Sequence, residues 1–291
     1  MAKPGKTKPN LITRVSAPDD MKKIMRTTGT RVGLFILAIW IVAILIGHPY
    51  VLIGAGVLTL LALGAVAWAY QYVRKGRAVA NILHSADMST SKGRRDAMGK
   101  LADKANKGDT AALFAKAQLL MHEDPRKALD ELEKINLSKV MAPIADEARG
   151  QRAMIHLLLG EVDNARALVD AIDLSRHEQI KPRAALAAVV AEAWARTGQS
   201  KRACETLDLF DPENHELEEI KPQLYRSRAF ATAAQNDVKR MRHALRRLKA
   251  INPQLLGGFV QKKIHPLLER EARQMLMQSG AVPKKMVRRH R

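Results

Sequence analysis

The chain has 291 residues, with 49 Lys and Arg against 29 Asp and Glu, giving a formal net charge of +20. It is 47% hydrophobic yet only 4% aromatic, and it contains one Cys. A single cysteine excludes a disulfide-stapled scaffold and a cysteine-based zinc ribbon, and an apolar share carried by Ala, Leu, Val and Ile favours helices over β-sandwiches.

Charge is unevenly placed. Segment 1–31 nets +6, residues 74–91 net +2 and the tail after Gly280 nets +5, so 13 of the 20 excess charges lie outside the main body. The first two clusters flank apolar runs, which accounts for them without nucleic acid. From Val32 to Gly47 sixteen residues carry no charge, and the chain is uncharged again from Val51 to Val73. At the helical rise the first run covers roughly 24 Å and Val51–Tyr70 about 30 Å, close to a hydrocarbon core of ~30 Å. Two buried core helices are the alternative. The connection through His48, Pro49 and Tyr50 is short enough to require an antiparallel return. The Lys/Arg bias then predicts a multi-pass inner (plasma) membrane protein with both termini cytoplasmic. On this reading residues 1–31 are a basic segment, 32–73 two transmembrane helices, and 74–108 a juxtamembrane helical connector.

Beyond Ser91 an internal period emerges. Four turn positions, Glu123, Gly160, Gly198 and Asn236, are spaced 37, 38 and 38 residues apart. Five residues after each stands Ala128, Ala165, Ala203 or Met241. Nine after each stands Leu132, Val169, Leu207 or Leu245, and twelve after each Ile135, Ile172, Phe210 or Leu248. Seven before each comes Lys116, Ala153, Ala191 or Ala229. The offsets put one apolar stripe on a helix after each turn, and the small residues allow that helix to approach the one before it. Pro143, Pro182 and Pro222 suit helix starts, whereas Pro212 and Pro253 follow helix ends. A helix pair of this kind cannot bury its apolar face alone, so the pairs must stack.

At these residues the chain resembles the tetratricopeptide-repeat (TPR) family. Residues Ala191 to Ala203, with Ala191, Trp194, Gly198 and Ala203, match that family's order of small residue, aromatic, turn glycine and packing alanine. Leu157–Glu161 with Ala165 is similar, as is Gln235-Asn236-Asp237 leading to Asn252-Pro253. The period exceeds the family's roughly 34 residues, Lys116 occupies a small-residue position, and Glu123 and Asn236 replace the turn glycine. The resemblance covers about residues 109–253, and with two preceding spans the layout is also similar to a bacterial inner-membrane TPR family linked to haem synthesis. It implies a concave groove made by the first helix of each pair, for which Met154, Glu192, Arg196, Arg226 and Phe230 are the candidates.

Little in the chain points to reaction chemistry. The nine His are scattered, and His215-Glu216 lacks the second His of a zinc-protease helix. Cys204 adjoins the packing Ala203 and reads as a structural thiol. Glu213, Glu216, Glu218 and Glu219 precede Pro222 and read as a solvated acidic loop. No metal, cofactor or enzymatic activity is expected. One basic run does stand out, since no acid occurs between Asp237 and Glu269, and Arg242, Arg246 and Lys249 line up at helical spacing. They read as a solvated face or as a surface for an acidic protein, lipid headgroups or nucleic acid. The lack of interleaved aromatics argues against nucleic acid.

The expected architecture is all-α: an N-terminal transmembrane helical hairpin, then a TPR-like α-solenoid over 109–279 with a C-terminal capping helix, then a basic tail over 280–291. The expected function is a membrane-anchored scaffold whose groove binds partner proteins beside the membrane lipids. The alternative is a membrane-tethered binder of nucleic acid or anionic lipid.

Overall fold

The computed structural model describes residues 33–34, 36–45, 48–85, 90–121, 123–260 and 264–279. The basic segment 1–31 and the tail 280–291 lie outside the described residues. Among those described the protein is all-helical, with no strand. It divides into two compact units, 1–116 and 117–291.

In the first unit, residues 33–45 are helical, Phe35 apart. They pair with α1 (Pro49–Ser85). The reversal at His48 and Pro49 predicted from the short connection is present, closed by a bond from Val51 N–H to the His48 carbonyl (3.0 Å). Trp40 Nε1 donates to Thr59 Oγ1 across the pair (3.1 Å). Ala43 and Ala55 are buried in the seam, while Leu37, Ile44, Ile53, Leu60 and Leu61 are exposed. The two-span expectation is nevertheless overturned: among the described residues no helix is long and apolar enough to cross a membrane. Helix α1 runs on through Arg74, Lys75 and Arg77 to Ser85. The multi-pass inner-membrane location with cytoplasmic termini falls with the spans. Helix α2 (Ser91–Asn106) packs on α1, and Thr90 caps it by accepting from Gly93 N–H. Helix α3 (Thr110–Leu120) crosses the boundary between the two units.

The second unit is a succession of helical hairpins. After α4 (Pro125–Glu133) come α5 (Ala142–Leu159) with α6 (Val162–Val169), α7 (Ile180–Arg196) with α8 (Ser200–Asp208), and α9 (Lys221–Ala234) with α10 (Val238–Ile251). A 3₁₀ segment, Pro253–Phe259, and α11 (Pro266–Gln278) follow. Helix α5 packs on α7 and α7 on α9, so the first helices form one row. Pro143 and Pro222 sit in the first turns of α5 and α9, where their missing N–H costs no helical bond. Asp124 and Asp237 cap α4 and α10 by accepting from free main-chain donors.

The turns show why the period holds. Gly160, Gly198 and Asn236 have φ of 79°, 88° and 59°. Each is followed by a residue whose N–H reaches five residues back: Glu161 to His156 (2.8 Å), Gln199 to Trp194 (2.8 Å) and Asp237 to Thr232 (2.9 Å). This is the Schellman closure, which needs a left-handed residue and favours Gly or Asn. Glu123 departs from the set. A Cβ-bearing, non-amide residue is disfavoured in that conformation, and Glu123 is absent from the positive-φ residues. The same closure occurs instead at Gly108 (φ 74°), where Asp109 N–H bonds Lys104 O at 3.1 Å.

Register then places the small residues. Ala128, Ala165 and Ala203 are fully buried, as are Ala153, Ala191 and Ala229, and Met241 fills the last position with no exposure. Gly150 marks a close approach that periodicity did not single out, since a Cβ there would lie 2.4 Å from Leu186 Cδ2. Replacing Ala165 or Ala203 with Leu should lower stability by roughly 1–3 kcal/mol through overpacking. Thermal unfolding of the full chain checks this, and an unchanged melting curve for both variants would refute the register.

Candidate functional site

Four of the five groove candidates meet at one point. Glu192 and Arg196 stand one turn apart on α7, and Arg226 and Phe230 one turn apart on the neighbouring α9. Arg226 grips the Glu192 carboxylate with both arms of its fork, Nε to Oε2 and Nη2 to Oε1, each 2.9 Å. Arg196 Nη1 donates to Glu192 Oε1 (3.3 Å) and to the Leu157 carbonyl at the end of α5 (2.9 Å). One carboxylate thus ties three successive first helices together.

The aromatic half of the cluster completes it. Phe230 packs against Phe259 of the 3₁₀ segment with ring centroids 5.2 Å apart. The Arg196 and Arg226 guanidinium groups lie 5.1 and 5.4 Å from the Phe230 centroid. Gly258 leaves room for this contact, because a Cβ there would fall 2.9 Å from Arg226 Nη1. Glu192 is 4% exposed and Phe230 3%, so neither offers a free surface. Burial alone would favour the neutral form of each arginine. At Arg226 the Glu192 charge and hydrogen bonds outweigh it, and the guanidinium holds its proton more tightly than usual. At Arg196 burial prevails and the shift is downward, with Glu192 opposing it.

Met154, the fifth candidate, lies outside this cluster. It occupies the position in α5 that Glu192 takes in α7 and Phe230 in α9, six residues before each turn. Its side chain is half-buried, and Leu158, one turn later, is 40% exposed. Pro253–Phe259 thus closes the row of first helices around α9, whereas in α5 Leu158 is exposed among the described residues.

The basic helix is more engaged than its sequence implies. Arg242 grips Glu271 of α11 through Nε to Oε2 (2.7 Å) and Nη2 to Oε1 (2.9 Å), and this pairing raises the arginine and lowers the acid. Arg240 pairs with Asp237 and Asp208. Arg246 is exposed and Lys249 half-buried, and neither pairs with a carboxylate among the described residues. Of the three basic candidates, Arg242 is thus an interhelical tie.

The acidic loop is likewise a tie between elements. Glu213 accepts from Lys221 Nζ (2.8 Å), from the Tyr225 hydroxyl (2.5 Å) and from Arg247 of α10. Glu219 pairs with Lys181, and Glu218 with Lys221. Glu218 apart, which lies three residues from Lys221, these partners stand 8 to 38 residues away in sequence, beyond the reach of a loop-composition argument. Cys204 is buried, and burial raises its thiol above the ordinary range.

Two further arginines show a repeated contact that the sequence reading missed. Arg152 Nη2 donates to the carbonyls of Leu132 (2.6 Å) and Ile135 (2.8 Å). Arg228 Nη2 donates to those of Leu207 and Phe210, both 2.9 Å. Each arginine stands eight residues before its turn and donates to carbonyls of the turn that ends the preceding hairpin. The signal was in the alignment of repeats, at an offset where polar residues were not sought.

No family model, no curated protein and no solved structure matches the chain.

The acidic loop yields a pH test. Hydrogen bonds from Lys221, Tyr225 and Arg247 pull Glu213 from 4.5 to about 2. A carboxyl depressed by folding contributes stability that is present above about 4.5 and lost as pH falls toward 2. Glu213→Gln should therefore melt below the parent at neutral pH, with the gap closing across that acid window. A gap that stays constant from pH 7 to about 2 would show that the carboxylate charge contributes nothing.

Proposed function

We propose that this chain is a helical-repeat scaffold of TPR-like hairpins that binds partner proteins along its row of first helices. The observation that carries the reading is the shared register of α5, α7 and α9. Positions six before each turn bring Met154, Glu192 and Phe230 into one row, and in α5 Leu158 is exposed among the described residues. Repeat stacks of this kind present an extended surface built from equivalent positions. Met154 and Leu158 supply an adaptable thioether and an exposed aliphatic group on adjacent turns, chemistry suited to an apolar anchor from a partner. The Glu192 cluster holds the adjoining helices rigid behind that surface. No reaction is proposed, and the contact is docking alone.

The test is site-specific photocrosslinking with the full chain in its native cell. A crosslinker at Met154 or Leu158 should capture a discrete partner band, and one at Leu209, more exposed than either but at the C-terminal cap of α8, should not. An apolar contact should also survive a rise from about 50 to about 200 mM salt, where phosphate-driven binding loses orders of magnitude. Equal capture at all three positions, or loss of capture over that salt range, would contradict the reading.

A further inference from the structure

The repeated arginine contact is missing from the middle hairpin, and a cavity is found in its place. The position eight before the turn is Arg152 in α5, Val190 in α7 and Arg228 in α9. The turn that receives the contact is alike in all three. Ile135 N–H bonds Leu132 O (3.0 Å), Ile172 N–H bonds Val169 O (3.1 Å), and Phe210 N–H bonds Leu207 O (3.1 Å). In the outer two turns a guanidinium spans the carbonyl pair. At Val169 and Ile172 no side chain donates to either carbonyl among the described residues. Here lies a cavity of about 450 Å³, with Val169, Ile172, Val190, Trp194 and Asp170 in its wall.

We propose that this cavity is a binding site for a guanidinium group, taken from an arginine side chain of a protein partner. The fold itself shows twice which group these carbonyls accept. In both turns one nitrogen, Nη2, donates to the two carbonyls through N–H bonds fixed in the guanidinium plane, whereas an ammonium presents three tetrahedral, rotatable donors. The wall carries two carboxylates, Asp170 and Asp173, and two guanidinium groups, Arg166 and Arg202. Asp170 accepts from Trp194 Nε1 (2.9 Å) and from Arg166 Nε (2.7 Å). Burial opposes its ionisation, but those bonds outweigh it and keep it a carboxylate with acceptor capacity to spare. Asp173, also in the wall, is held as a carboxylate by Ser175. The two cations nearby are engaged: Arg166 also donates to Thr197 Oγ1 (2.9 Å), and Arg202 lies over the Trp194 ring at 3.8 Å. The volume suits an arginine side chain, at the smaller end of ligand pockets.

This inference rests on the partner-binding reading only for the bearer of the group, because the site's chemistry can be read with a small probe. The probe is N-acetyl-L-arginine amide, titrated into the full chain while the Trp194 indole N–H resonance is followed, with Trp194→Phe used for its assignment. The arginine compound should shift that resonance saturably, and N-acetyl-L-lysine amide should bind at least tenfold more weakly. Val190→Arg, which supplies the group from within, should weaken the probe at least tenfold without lowering Tm. Should Val190→Arg fail to fold, Val190→Met fills the same space with an apolar chain and should also block the probe. Equal binding of the lysine compound, or unchanged binding to the folded position-190 variants, would overturn the site. Free L-arginine binding tenfold more tightly than the blocked compound would overturn its assignment to a partner's side chain. Failure of the photocrosslinking experiment alone would leave the probe result standing, so the two readings fail separately.

Discussion

The second unit depends on one backbone constraint: each hairpin reverses through a single residue in the left-handed conformation. That residue closes the first helix by a bond reaching five residues back and starts the second helix at a fixed phase. Phase decides which side chains face inward. With Gly160, Gly198 and Asn236 at the reversals, the alanines seven before and the residues five after, Ala165, Ala203 and Met241, are sealed from solvent. An ordinary L-residue at these turns costs roughly 1–2 kcal/mol, and a shift of one position would turn the apolar stripe away from the neighbouring helix.

Hairpins fixed in this way are joined by polar ties rather than by apolar burial alone. Main-chain carbonyls at one hairpin's end accept from an arginine of the next, at Arg152 and Arg228. Side chains add a second set of ties, through Glu192 to Arg196 and Arg226, Glu213 to Arg247, and Arg242 to Glu271. Asp146, wholly buried near the start of α5, adds another by receiving Arg149 and Arg176. Much of the excess of arginine in this unit therefore acts within the fold. The function proposed here attaches to the places where the pattern lapses: the α5 end of the groove row, where Leu158 is exposed among the described residues, and the Val190 position where a tie is absent.

Much of this was legible in the sequence because it is local and periodic. The turn residues, the buried alanines and the proline-marked helix starts all follow from offsets of a few residues. Of Glu192, Arg196, Arg226 and Phe230, only their placement on first helices was legible. That the cluster is buried was not, because the covering Phe259 lies 29 residues beyond Phe230 in a segment with no helical period. Arg242 looked free for the same reason, its partner Glu271 standing 29 residues away on a different helix. Glu123 was placed among the turns by spacing alone, against its own conformational preference. The apolar runs at 32–73 were read by length and hydropathy, which do not fix where a helix begins or ends. The second run continues as helix past its apolar stretch, through Arg74, Lys75 and Arg77 to Ser85.

The central claim is that neighbouring hairpins are held in register by a shared buried carboxylate. A double-mutant cycle on Glu192→Met and Arg226→Met in the full chain, read by denaturant unfolding, tests it most directly. Glu192→Met strips the carboxylate from both Arg196 and Arg226 and should cost about 3–5 kcal/mol, and Arg226→Met, which leaves Glu192 paired with Arg196 alone, should cost less. The double variant removes both charges and should cost less than the sum of the singles by more than about 1 kcal/mol. Strictly additive losses, or single variants as stable as the parent, would contradict the account.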